Sequence, residues 1–240
     1  MLEVDLHMHT NRSLCGLHTL LEMTQAAQDK GLKGIAITDH GTALGGPGVN
    51  SVFLRRFPSH YQGLKVWKGI EANILPQGEI DVPKEFISEL DLILVGLHPN
   101  ITHNQGEGYY TDLLLNCIDK NSVVDVITHP DIKTYPVDIK RVVSVAAKKN
   151  IAVEFNNSNI LYQKTDLTKM KEMVDAVKET GCQALLSGDA HAIQEIGADQ
   201  DLLKIFKEEN FPCVPFVNQT FESALKFVNA RKKRREQFNV

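Results

Sequence analysis

Within the first ten residues stand His7, Met8, His9 and Thr10, directly after the short apolar run of Val4, Asp5 and Leu6. Two histidines at i and i+2 of a strand face the same side, so both imidazoles can reach one ion. The placement recurs along the chain. The run 35–38 leads to Asp39 and His40, 66–70 to Glu71, 92–97 to His98, 123–128 to His129, and 184–188 to Asp189 and His191. Imidazoles and carboxylates gathered at one place repel one another or stay unpaired unless a cation joins them. The set therefore predicts a metal centre. Cations held by imidazole and carboxylate suit hydrolysis, with no redox cofactor implied.

The elements that must position these residues follow from the same pattern. Short β-like runs at 3–8, 34–38, 65–71, 92–97, 123–128, 151–155 and 183–187 alternate with amphipathic helical stretches at 19–30, 110–119, 138–149, 167–180, 198–209 and 220–235. With a further run at 213–217 this makes about seven or eight βα repeats, close to a complete barrel, whose chemistry belongs at the C-terminal ends of the strands. The glycine-rich stretch 41–50 reads as a rim loop, and His60 as a surface loop residue.

At 240 residues and 42% hydrophobic content, the chain suits one domain over 1–240 with a sizeable core. No apolar run approaches a membrane span, and the N-terminus lacks the basic flank of a signal peptide. Cys15, Cys117, Cys182 and Cys213 form no CxxC pair, which points to a reduced, cytoplasmic protein. A net charge of −4 offers no overall positive field for nucleic acid, and the basic run 231–235 reads as a solvated helix end.

His7-x-His9-Thr10, Thr38-Asp39-His40, Glu71, His98, Thr128-His129-Pro130 and Ser187-Gly188-Asp189-Ala190-His191, in that order, resemble the PHP (polymerase and histidinol phosphatase) superfamily over nearly the whole chain. The compact form is most similar to the YcdX-type PHP phosphatases. The resemblance implies an α/β fold, a distorted TIM-like (β/α)7 barrel, with a cluster of up to three metals. It implies that His7, His9, Glu71 and Asp189 hold the first ion, and that Glu71 bridges to a second held by His98 and His129. His40 and His191 would hold a third with a residue from the loop after the first strand. The family usually has His or Asp there; this chain has Cys15, with His18 three residues on. A Cys15 thiolate would favour zinc over manganese. His18 in its place would leave Cys15 a small filler, and a two-metal centre is the remaining alternative. The expected cofactor is Zn2+, two or three ions per chain, with Mn2+ or Fe2+ as alternatives.

The implied activity is phosphatase chemistry on a small phosphomonoester, such as a sugar or amino-alcohol phosphate. A water shared by metals loses its proton and attacks phosphorus in line, while the ions neutralise the phosphoryl and leaving oxygens. Asp189 would lie near that water. Arg12 is the candidate phosphate contact and His103 the candidate proton donor to the leaving group. Asp5 and Asp39 stand beside ligating histidines and could orient them. The segment Glu154-Phe155-Asn156-Asn157-Ser158 resembles a family rim segment and would line the site or brace its loops. A homo-oligomer is compatible with the resemblance; membrane and nucleic-acid partners are not expected. The alternatives are a PHP-type phosphodiesterase or nuclease, and a metal-stabilised non-catalytic module in whose favour Cys15 alone speaks.

Overall fold

Alternating apolar runs and amphipathic helices give the chain a βα order, seen in a computed structural model that describes residues 2–46, 50–101 and 105–236. In sequence the elements are β1 (Val4–Asp5), α1 (Leu20–Asp29), β2 (Gly34–Ile37), α2 (Ser51–Arg56), β3 (His60–Tyr61), β4 (Leu64–Asn73), β5 (Leu92–Gly96) and α3 (Glu107–Lys120). There follow β6 (Val126–Ile127), α4 (Ile139–Lys148), β7 (Ala152–Asn156), α5 (Asn157–Leu161), α6 (Leu167–Thr180), β8 (Ala184–Ser187), α7 (Gln200–Glu208) and α8 (Phe221–Glu236). Side chains fix where several helices begin: Thr19 and Glu22 form a capping box on α1, while Asp138 and Asp166 cap α4 and α6.

Seven strands run parallel in the order β1-β2-β4-β5-β6-β7-β8, a distorted TIM-like (β/α)7 barrel. The short β3 is a hairpin partner of β4, so His60 lies on an exposed strand rather than in a loop. The run at 213–217 adds no eighth strand; Phe216 makes a single bridge to Ala184. Closure between β1 and β8 comes from two devices. At the C-terminal rim Met8 bridges Ala190, with the His9 amide donating to the Ala190 carbonyl at 2.8 Å. Lower down, the buried Asn218 side chain stands in for a ladder. Its Nδ2 donates to the carbonyls of Val4 (2.9 Å) and Leu186 (2.6 Å), and its Oδ1 accepts from the Leu186 amide (3.1 Å).

Alternation along the strands sorts the interior by height. Leu92 and Leu94, Val126, Ala152 and Leu185 fill the lower barrel with Val4, Leu6, Ala36 and Trp67. Higher up the inward positions turn polar, one period above the core at Thr128, Glu154 and Ser187 and two periods above Trp67 at Glu71. The first strand reaches this arrangement by a break. Val4 and Leu6 join the interior, whereas Met8 packs outside with Ile35 and Ile37. The alternation is reset between Leu6 and Met8, and His7 and His9 turn toward the axis.

The basic run is not a solvated helix end. α8 closes the N-terminal mouth of the barrel, with Ala224, Phe227 and Val228 packed into the lower interior. Arg231 and Arg235 are buried. Arg235 pairs with the buried Asp125 and donates to the carbonyls of Leu90 (3.0 Å) and Asp91 (2.5 Å). Arg234 reaches the Val124 carbonyl and Asp125, and Lys232 pairs with Asp91 at 2.7 Å. These cations satisfy carboxylate and carbonyl groups at the strand starts, which burial would otherwise leave unpaired.

Candidate metal centre

Glu71, from the end of β4, lies fully buried on the barrel axis. Its Oε1 faces His98 Nε2 (3.1 Å) and His129 Nε2 (3.2 Å) and accepts from Thr128 Oγ1 (2.9 Å). Its Oε2 faces His7 Nε2 (3.3 Å), His9 Nε2 (3.3 Å) and His40 Nδ1 (3.1 Å). Asp189 Oδ1 adds a second carboxylate, 3.4 Å from His7 Nε2 and 3.2 Å from His9 Nε2. Three groups of potential ligand atoms result, each within 4.8 Å: His7, His9 and Glu71; His40, Glu71 and His98; and His9, Cys15, His40 and His191. Buried Asp189 Oδ1 and His40 Nδ1 receive or make no hydrogen bond within the protein. Donors of these types, converging and in part unpaired, fit divalent metal ions.

The imidazoles are held from behind, which fixes which nitrogen faces the centre. His7 Nδ1 donates to Glu154 Oε1 at 2.6 Å. Glu154 also accepts from Ser187 Oγ (2.7 Å), the His129 amide (3.0 Å) and Asn156 Nδ2 (3.2 Å). His98 Nδ1 donates to Asn73 Oδ1 (2.8 Å), and the Asn73 amide group is oriented by Asp81 Oδ2 (2.7 Å). His9 Nδ1 lies 3.4 Å from Ser13 Oγ, which donates to Asp39 at 2.9 Å. His129 and Asp189 both take positive φ (34° and 46°), a left-handed backbone that non-glycine residues rarely adopt. Gly96 is required here: a Cβ would come within 2.4 Å of Thr128 Oγ1 and 2.8 Å of His98 Nε2.

Electrostatics bind the cluster together. Burial opposes charge on Glu71, yet the neighbouring imidazoles, His7 foremost, hold its carboxyl well below the usual range. Burial likewise works against a charged His9, but the facing carboxylates of Asp189 and Glu71 outweigh it and raise its pKa to about 9. At His40 burial prevails and pushes the pKa down to about 3, leaving a neutral imidazole suited to ligation.

A family model, the PHP domain, matches residues 5–158 of this chain. The chain belongs to the PHP domain family. A protein of Shewanella loihica named probable phosphatase is 36% identical over 232 residues, covering 95% of this chain and 94% of that protein. One of the same name from Acetivibrio thermocellus is 31% identical over 234 residues, covering 96% and 97%. The fold is also that of histidinol phosphate phosphatase from Lactococcus lactis, solved with zinc, L-histidinol and phosphate: TM-score 0.60, 14% identity, 87% of this chain and 94% of that one. Family and relatives together place the chain among the PHP-type phosphatases.

The PHP cluster gathers His7, His9, Cys15, His40, Glu71, His98, His129, Asp189 and His191 around one cavity or its floor. His18 is outside these groups. Arg12 is not brought to the cavity; its guanidinium lies over the Phe53 ring, 4.0 Å from the centroid, and lines a separate hollow beside α2. His103 lies outside the described residues. Asp5 touches no imidazole: it accepts from the amides of His7, Gly188 and Gly197 and so ties β1 to the loop after β8. Asp39 acts through Ser13 and Thr10 rather than on a ring. Glu154 and Asn156 lie within β7, beneath the cavity rather than after the strand. Asn73 and Asp81 escaped the sequence reading. Asn73 shares the inward face of β4 with Glu71 at i+2, a signal that was available, whereas Asp81 is a loop residue without one.

Proposed function

We propose that the chain is a YcdX-type phosphomonoesterase acting on a small phosphorylated molecule at a centre of three metal ions. The observation that supports this is Glu71, whose two oxygens face different sets of imidazoles, the arrangement of a bridging carboxylate. His7, His9, Glu71 and Asp189 would hold the first ion, Glu71, His98 and His129 the second, and Cys15, His40 and His191 the third. The thiol favours Zn2+ at the third position, while the imidazole and carboxylate positions also suit Mn2+ or Fe2+. Such ions, when bound, supply Lewis acidity and lower the pKa of water.

The protein's own groups supply the rest. Asp189 Oδ2 accepts from Asn156 Nδ2 at 3.0 Å, which turns Oδ1 toward His7 and His9 as the oxygen that would face the first ion. Glu154 and Asn73 keep the Nε2 atoms of His7 and His98 aimed at the centre. The burial of Arg231 and Arg235 beneath the barrel favours a small ester over a nucleic-acid substrate. Cys117 and Cys182, buried as free thiols, accord with a cytoplasmic location.

His7→Ala and Asp189→Ala should each lower bound metal and abolish turnover of p-nitrophenyl phosphate. Unchanged activity in both variants would remove the site assignment. Faster cleavage of bis-p-nitrophenyl phosphate or an oligonucleotide than of the monoester would replace a phosphatase by a phosphodiesterase.

A further inference from the structure

The cavity at the cluster, about 260 Å³, has linings of two kinds. One is the imidazole and carboxylate of the cluster. The other comprises the apolar Leu97, Pro99 and Ile132 with Tyr135, together with the exposed Lys164. Among the described residues Lys164 is the one lysine or arginine lining the cavity. No carboxylate of the described residues lies within ion-pair distance of its ammonium, whose nearest recorded aromatic neighbour is the Tyr162 ring at 5.7 Å.

The backbone at Lys164 is also fixed in place. Gln163 takes a left-handed φ of 56° and turns the chain back after α5. The Lys164 amide then donates to the Asn159 carbonyl (2.8 Å), and its carbonyl accepts from the Lys133 amide (3.0 Å). A non-glycine residue in that conformation costs of the order of 1 kcal/mol or more, and such strain gathers at functional positions. The carboxylates lining the cavity, Glu71 and Asp189, face imidazoles and would face the ions the cluster holds. A substrate ammonium would therefore meet the Lys164 cation with no carboxylate left to pair with it, an unfavourable juxtaposition.

Resting on the phosphatase reading above, we propose that Lys164 selects phosphomonoesters whose alcohol carries a second anionic group, a carboxylate or another phosphate, at the end remote from the ester. Lys164 is then a specificity-determining residue, and amino-alcohol phosphates are disfavoured. The apolar residues lining the same cavity would accommodate a short carbon chain.

Two phosphonates that cannot be hydrolysed test this by calorimetry on the metal-loaded protein: 3-phosphonopropionate and its uncharged-tail counterpart, propylphosphonate. The carboxylate ligand should bind about tenfold more tightly, the scale of one charge-assisted hydrogen bond at a solvent-exposed rim. That ratio should collapse in Lys164→Met and persist in Lys164→Arg. Equal affinities in the wild type, or a ratio that survives in Lys164→Met, would overturn the role of Lys164 while leaving the phosphate site intact. Binding of neither phosphonate would instead defeat the phosphatase reading, and this inference with it.

Discussion

Cys15 is where this chain departs from the His or Asp that the family resemblance leads one to expect, and its fate is measurable. Cys15 and Cys213 are exposed, whereas burial pushes the Cys117 thiol up to about 12 and Cys182 up to about 11. Since the thiolate is the reactive form, iodoacetamide at pH 8 should label Cys15 and Cys213 of the folded, metal-stripped protein and spare the other two. Zinc loading should then protect Cys15 but not Cys213, read by peptide mass spectrometry. Equal labelling of Cys15 with and without zinc would exclude it as a ligand. Glu154 offers a second test. It accepts from His7 Nδ1 and from further donors that Glu154→Ala would leave buried and unpaired. Metal affinity should fall by about 10–100-fold in chelator competition, the usual cost of losing a group that orients a ligand. An unaltered affinity would contradict the positioning role.

The strands were the most legible elements, because six of the seven apolar runs lead to a residue of the cluster. Their inward positions turn from leucine and valine to glutamate, threonine and serine within one period. The reset at Leu6 was not legible, since continued alternation from Val4 would have turned His7 and His9 outward. α8 was misread for a different reason. Five consecutive cations resemble a solvated face, and only the assembled barrel mouth presents Asp91, Asp125 and the carbonyls of Leu90 and Val124 to them. Asp125→Ala would strand the buried Arg235 and should cost about 3–5 kcal/mol in urea unfolding. A loss below about 1 kcal/mol would place this pair in the class of surface ion pairs. At the other mouth, Gly96→Ala should displace Thr128 and His98 from Glu71 and lower the metal content of folded protein. Metal content equal to the wild type would show that the rim has room for the methyl group.

At the scale of the whole molecule the barrel is sealed below by α8 and open above at the cluster, so stability and chemistry occupy opposite ends. Order along the chain made the family and the barrel legible, because six of the seven parallel strands lead in turn to a residue of the cluster. The rear supports of the cluster were less legible. Asp81 and Ser13 lie in irregular loops, where no periodicity marks the residue that turns back to Asn73 or Asp39. Elemental analysis of metal per chain, with p-nitrophenyl phosphate turnover in the same preparation, bears most directly on the central claim. Three ions per chain, one for each group of donors, together with turnover are the predicted result. A protein replete with metal yet inert toward phosphomonoesters would contradict it.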